Sequence, residues 1–190
     1  MKTALRFFSV GIVAILTFPL SAAAQVETID ATARGTGTQL GHQVTIRLII
    51  SQWSTPEDKQ TLITAFKQGQ QRGLVNALQG MRSAGRMTMP GTVGFDLAYA
   101  ESVPTPTGRR VRFITNRRIA FAEAAWNTRS RSFDITAGEV NINNQEAGQS
   151  SGTLLPATQI TINRDGDLQL NLLQNPWNLN NIIDWTPPKG

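Results

Sequence analysis

VGFDLAYAESVPTPTGRRVRFIT, Val93 to Thr115, is the stretch that decides how this chain folds. Its first part sets Val93, Phe95, Leu97 and Tyr99 in alternation with Gly94, Asp96, Ala98 and Ala100, and its last part sets Val111 and Phe113 in alternation with Arg110 and Arg112. Successive side chains of an extended chain point to opposite sides, so this period of two marks strands with one face on a core. Between the two parts, Thr105-Pro106-Thr107-Gly108 has turn chemistry: proline presets φ and glycine accepts conformations that other residues resist. The segment reads as two antiparallel strands joined by a tight connection.

The same period recurs on both sides. VTIRLII places Val44, Ile46, Leu48 and Ile50 on one face, and an earlier strand over Glu27 to Arg34 turns Ile29, Ala31 and Ala33 inward. Downstream, Ile119, Phe121 and Glu123 alternate with Arg118, Ala120 and Ala122. Phe133 and Ile135 are odd-numbered whereas Val140 and Ile142 are even, so a bulge that shifts the register is expected near Gly138. In ATQITINRDGDLQLNLL, Ala157 to Leu173, Ile160 and Ile162 lead through Asp165-Gly166 to Leu168, Leu170 and Leu172, the pattern of a β-hairpin.

One region breaks the period. In STPEDKQTLITAFKQG, Thr55 suits a helix N-cap, Pro56 the first helical position, and Glu57 and Asp58 the exposed amides of the first turn. Leu62, Ile63 and Phe66 form an apolar stripe that Gly69 ends, and a second short helix over Gln71 to Gln79 carries Leu74, Val75 and Leu78. The expectation is an α+β domain, mainly antiparallel sheet of about eight strands arranged as a sandwich or a barrel, with one helical hairpin inserted at about 55–80. The Pro- and Asn-rich tail from about 174 to 190 is expected to lie across the sheet and fray from Pro187.

The chain opens MKTALRFFSVGIVAILTFPLSAAAQ: Lys2 and Arg6, an apolar run from Phe7 to Leu20, then Ala22-Ala23-Ala24. That is the pattern of a secretory signal peptide over residues 1–24, with cleavage before Gln25. An apolar run shorter than about 20 residues does not suit a spanning helix, so no transmembrane segment is expected after cleavage. The remaining 25–190 is sized for one domain. The absence of cysteine rules out disulfides and thiolate metal sites, and a single histidine argues against a transition-metal centre, so no cofactor is assigned.

The whole chain has 18 Lys and Arg against 13 Asp and Glu; without Lys2 and Arg6 the balance falls from +5 to +3. RRVRFITNRRIAFAEAAWNTRSR, Arg109 to Arg131, holds seven arginines and one acid, Glu123, so it carries +6 on a chain that is otherwise slightly acidic. Outward Arg110, Arg112 and Arg118, with Arg129 and Arg131 in a loop, form a candidate anion-facing row, because guanidinium forks match phosphate and carboxylate.

Three other constellations invite a chemical reading. GTGTQLG, Gly35 to Gly41, is followed by a strand and not by the helix that a phosphate-cradling loop requires, so it reads as a hairpin loop. GQSSG, Gly148 to Gly152, centres on Ser150, and His42, Asp96 and Ser150 follow one known triad order. The nucleophile elbow needs a strand, a sharp turn and a helix, whereas Ser150 lies between two expected strands. Asp96, Glu101, Glu123, Asp134 and Glu139 offer carboxylates for acid–base work, with Glu123 in phase with inward residues.

STPEDKQTLITAFKQGQQRGLVNALQG, RFITNRRIAFAEAAWNTRSR and SSGTLLPATQITINRDGDLQL, in that order, resemble segments of a group of small secreted bacterial proteins of unknown function, chiefly from Acidobacteria. The resemblance runs from about Val44 to Leu172; it implies that GQSSG is a variable linker, and it carries over no catalytic or binding residue. Arg118 departs from it, standing where the group has proline, which leaves a bend at that point in doubt.

The expected function is that of an exported, periplasmic or extracellular, non-enzymatic protein binding an anionic envelope polymer or an acidic protein through the arginine row. Nucleic acid is a poor partner for an exported chain. The alternatives are a carrier of a small apolar ligand inside a barrel and, third, a hydrolase.

Overall fold

A computed structural model describes residues 26–37, 40–118, 135–164, 166–170 and 176–185. The strands are β1 (Glu27–Gly35), β2 (Gln43–Ile50), β3 (Gly85–Thr88), β4 (Phe95–Thr105), β5 (Gly108–Thr115), β6 (Ile135–Asn143), β7 (Ser151–Thr158), β8 (Ile160–Ile162), β9 (Leu168–Leu170) and β10 (Trp177–Asp184), with helix α1 (Pro56–Gly80) between β2 and β3. Eight strands close an antiparallel barrel in the order β1-β10-β7-β6-β5-β4-β3-β2, and β8 and β9 pair as a separate two-stranded sheet. Of the two arrangements left open by the alternation, the chain adopts the closed one, which leaves the barrel strands no unpaired edge.

Two apolar clusters hold the structure. Inside the barrel, Ile29, Ile46, Leu48, Ile50, Leu97, Val111, Phe113, Val140, Leu154, Trp177 and Leu179 interdigitate. Outside it, Leu62, Leu74, Val75 and Leu78 of α1 cover Ala98, Tyr99, Ile114, Ile135, Ala137 and Ile160. Leu62, Leu74 and Leu78 are wholly buried, each contributing about 1.5–3 kcal/mol. The helix therefore clads the wall made by β4, β5 and β6.

The helix start follows its sequence closely. The Thr55 hydroxyl accepts from Asp58 N at 3.2 Å, and the Asp58 carboxylate accepts from Thr55 N at 2.8 Å, a reciprocal capping box with Pro56 in the first turn. The two expected helices form one element whose backbone leaves the helical region at Gln70 (φ 51°, ψ −144°). Ala65 and Gly73 would lie about 12 Å apart along a straight helix. A Cβ added to Gly73 would instead come within 2.2 Å of the Ala65 carbonyl oxygen, so the chain after Gln70 lies against the chain before it.

Three expectations are corrected. Phe95 and Leu97 belong with the barrel interior, but the pairing of β4 with β5 slips between Leu97 and Tyr99, so Tyr99 faces the helix and Ala100 faces inward. The bulge expected near Gly138 is a register shift against β7 between Ile135 and Ala137. Its apparent parity change has another cause: Ile135 and Ala137 are buried under the helix, whereas Val140 and Ile142 are buried inside the barrel, so β6 is apolar on both faces. Finally, the Asn-rich tail supplies β10, which closes the barrel between β1 and β7. The expected strand around Ile119 to Glu123, and Phe133, lie outside the described residues.

Candidate functional site: the barrel mouth

At one end of the barrel β1 begins, β10 ends, β4 turns into β5 and β6 turns towards β7. Three charged side chains enter the interior there. Glu27 is in phase with inward Ile29 and Ala31, Arg109 with Val111 and Phe113, and Asp184 with Ile182. Since β5 and β1 are four strands apart in the wall, Arg109 meets its partners by reaching across the lumen.

Arg109 Nη1 lies 2.5 Å from Glu27 Oε2, and Nη2 lies 2.7 Å from Asp184 Oδ2. Trp53, just beyond β2, donates from Nε1 to Glu27 Oε1 at 3.4 Å, and its ring centroid is 5.9 Å from the Arg109 guanidinium carbon. The Glu27 side chain is only 3% exposed and that of Arg109 19%. A charge buried this far is stable only when paired and hydrogen-bonded. Burial works against the guanidinium charge, but the hydrogen bonds and attraction from Glu27 and Asp184 outweigh it and raise the pKa of Arg109.

Clefts open on both sides of this bridge. One, of about 720 Å³, runs past Asp184, Ile182, Asn144 and Ser150. The other, of about 570 Å³, runs past Trp53, Lys59, Tyr99 and Glu101 near the start of α1. Glu27, Ser102 and Arg109 line both. Each volume lies within the range of small-molecule sites, about 300–1,000 Å³.

The arginines singled out in the sequence have a different setting. Arg110 and Arg112 point outward, and the register places Glu101, Arg112 and Glu139 side by side on β4, β5 and β6. Arg112 Nε is 2.8 Å from Glu139 Oε2 and Nη1 is 3.4 Å from Glu101 Oε1; Arg110 Nε is 3.2 Å from Glu139 Oε1 and donates to Asn141 Oδ1 at 3.0 Å. The ladder continues through Glu101, which accepts from the Tyr99 hydroxyl at 2.8 Å and lies 3.8 Å from Lys59; Lys59 in turn is 2.7 Å from Asp167. Arg118 is exposed in the turn after β5, and Arg129, Arg131, Glu123 and Asp134 lie outside the described residues. The structure thus joins Arg110 and Arg112 in one row and meets both with carboxylates.

The triad order does not become a triad. Ser150 lines the Glu27 end of the barrel, where its hydroxyl accepts from Asn143 N at 3.0 Å; His42 follows the far end of β1; and Asp96 is paired with Arg86 at 3.1 Å. Of GTGTQLG, Gly35 ends β1, and the described Gly37 and Gly41 that precede β2 have φ of 57° and 93°.

Glu27, Arg109 and Asp184 are not among the candidates that the sequence singles out. A signal for two of them is present, since Glu27 shares parity with Ile29 and Arg109 with Val111. A charged residue in phase with a core-facing row is either at a strand end or paired inside, and these are both. Asp184 is illegible because Asn181, at φ 49°, interrupts the alternation of β10.

No protein-family model, curated protein or solved structure matches this chain.

Proposed function

We propose that this is an exported binding protein that holds a small polar ligand at the mouth of its barrel, beside Arg109. The observation that carries this reading is the Glu27–Arg109–Asp184 bridge, fixed across the lumen with a cleft on either side. Groups held in place by one another before a ligand arrives lose little entropy on binding it. Glu27 engages Arg109 and Trp53, and Glu101 engages Tyr99 and Arg112, so the polar walls of both clefts are ordered in advance.

The mouth is favoured over the two sites expected from sequence. An anion on the outer row would have to compete with Glu139 and Glu101 for Arg110 and Arg112. An apolar ligand inside the barrel would have to displace packed side chains, such as the Phe113 ring that fills the space over Gly138.

Because the chain has no cysteine, Ser102→Cys introduces a single thiol on the wall common to both clefts. The reading is tested by screening a library of small polar molecules against this variant by ligand-observed NMR, before and after attachment of a bulky maleimide. Hits that vanish on attachment, with the melting temperature unchanged, support the mouth as the site; hits indifferent to the adduct place binding elsewhere.

A further inference from the structure

Resting on the barrel-mouth reading, we infer that the ligand is a neutral oligosaccharide of at least two rings, lying across Arg109 with one ring in each cleft.

Charge comes first. In the larger cleft Arg109 stands between two carboxylates; in the smaller, Lys59 and Arg109 face Glu27 and Glu101. Neither cleft has an excess of positive charge to select an anion, and a phosphate or uronate at Arg109 would stand beside two carboxylates. A cation would have to compete with Arg109 for Glu27 and Asp184. The array suits a ligand without net charge.

Hydrogen-bonding capacity comes second. A guanidinium offers about five donors, so the bonds to Glu27 and Asp184 leave part of Arg109, whose side chain is 19% exposed, open to a ligand, while buried Glu27 holds it in place. Sugar hydroxyls both donate and accept, so neighbouring ones can accept from the Arg109 guanidinium and donate to the partly exposed Glu101 carboxylate in the smaller cleft. Bonds to such charged partners are stronger than bonds between neutral groups. Ser102, which is exposed on the wall shared by both clefts, adds a hydroxyl that donates and accepts.

Shape comes third. Trp53 forms part of the smaller cleft, where a broad apolar ring suits the C–H face of a pyranose. Since Glu27, Ser102 and Arg109 belong to both clefts, a ligand filling the two must bend its middle over Arg109, which favours a chain of rings over a single compact molecule.

The experiment is a calorimetric titration of the full mature chain with mono-, di- and trisaccharides of neutral hexose and N-acetylhexosamine series. Oligogalacturonate, oligoglucosamine and inorganic phosphate serve as anionic and cationic controls. We expect one neutral series to bind, more tightly from one ring to two, with affinity unchanged between low and high salt. Trp53→Ala should weaken it about tenfold, whereas Trp53→Phe should retain most of it. Binding of a charged control in place of any neutral sugar, if abolished by the maleimide adduct of the Ser102→Cys variant, overturns the saccharide inference and leaves the mouth reading standing. Failure of every ligand class to respond to the adduct overturns both. A neutral sugar that binds equally well to Trp53→Ala and to the adduct overturns the inference as well.

Discussion

Arg109 and Arg110 are neighbours in the chain and inhabit different chemistry. One points into the barrel and bridges the lumen to Glu27 and Asp184; the other points out and lies on an ion-pair ladder with Glu139. A strand's period of two is the whole cause of the divergence. Inside, two carboxylates and a tryptophan replace the water that the guanidinium gives up. Outside, water still reaches the ladder, and neighbouring strands supply carboxylates because the register sets Glu101, Arg112 and Glu139 abreast. A dense run of arginine is therefore not one surface, and its least conspicuous member lies at the site proposed for ligand.

The largest losses are expected inside the barrel. Arg109→Met leaves Glu27 and Asp184 side by side on adjacent strands β1 and β10 without their cation, and removing one partner of a buried pair costs about 3–5 kcal/mol. Urea denaturation should show a loss of that order, and a loss below about 1 kcal/mol would mean that the bridge is not buried in solution. Gly138 offers an apolar version of the same contrast. It stands opposite Phe113, whose ring would come within 2.3 Å of an added Cβ, so Gly138→Ala should cost about 1–3 kcal/mol through overpacking. On the outer wall, Arg112→Gln should cost about 1 kcal/mol or less, and the difference should shrink as salt is raised.

Alkali sharpens the contrast through Tyr99, the chain's single tyrosine. Burial first, and then the adjacent Glu101 carboxylate, hold its phenol well above the usual 10.0. The folded state favours the neutral form, so this contribution to stability is complete below pH 10.0 and is lost as pH rises beyond it. Tyrosinate absorbance should appear together with unfolding, and ionisation near pH 10.0 in a chain that circular dichroism shows still folded would contradict the packing of Tyr99. The smallest effect belongs to Asp30, whose carboxylate is held below 3.8 chiefly by its hydrogen bond to Arg47 and also by Trp185. Its contribution is present above 3.8 and fades as pH falls through the lowered value, so Asp30→Asn should flatten only the acid limb of the stability profile.

Much of the fold was legible because its signals are local. The alternation in β1, β2 and β5, the Thr55 cap with Pro56, and the apolar residues of α1 were readable from adjacent residues alone. What escaped depended on distant partners. Tyr99 changed faces because β4 slips against β5, β6 seemed to change register because it is covered on both sides, and β10 concealed its period behind the turn in the backbone at Asn181. Barrel closure could not be read locally, since it depends on β10 reaching both β1 and β7. The site was the least legible part. Arg110 and Arg112 stood out by number, whereas Arg109 matters by its phase and by two carboxylates that lie 82 and 75 residues away in the chain.

The most direct test is a pair of double-mutant cycles measured by urea denaturation, one coupling Arg109→Met with Glu27→Gln and the other coupling Arg112→Gln with Glu139→Gln. A cross-lumen bridge predicts a coupling of about 2 kcal/mol or more for the inner pair and less than about 1 kcal/mol for the outer pair. Equal couplings, or a larger one on the outer wall, would contradict the placement of Arg109 as the organising charge of the barrel mouth.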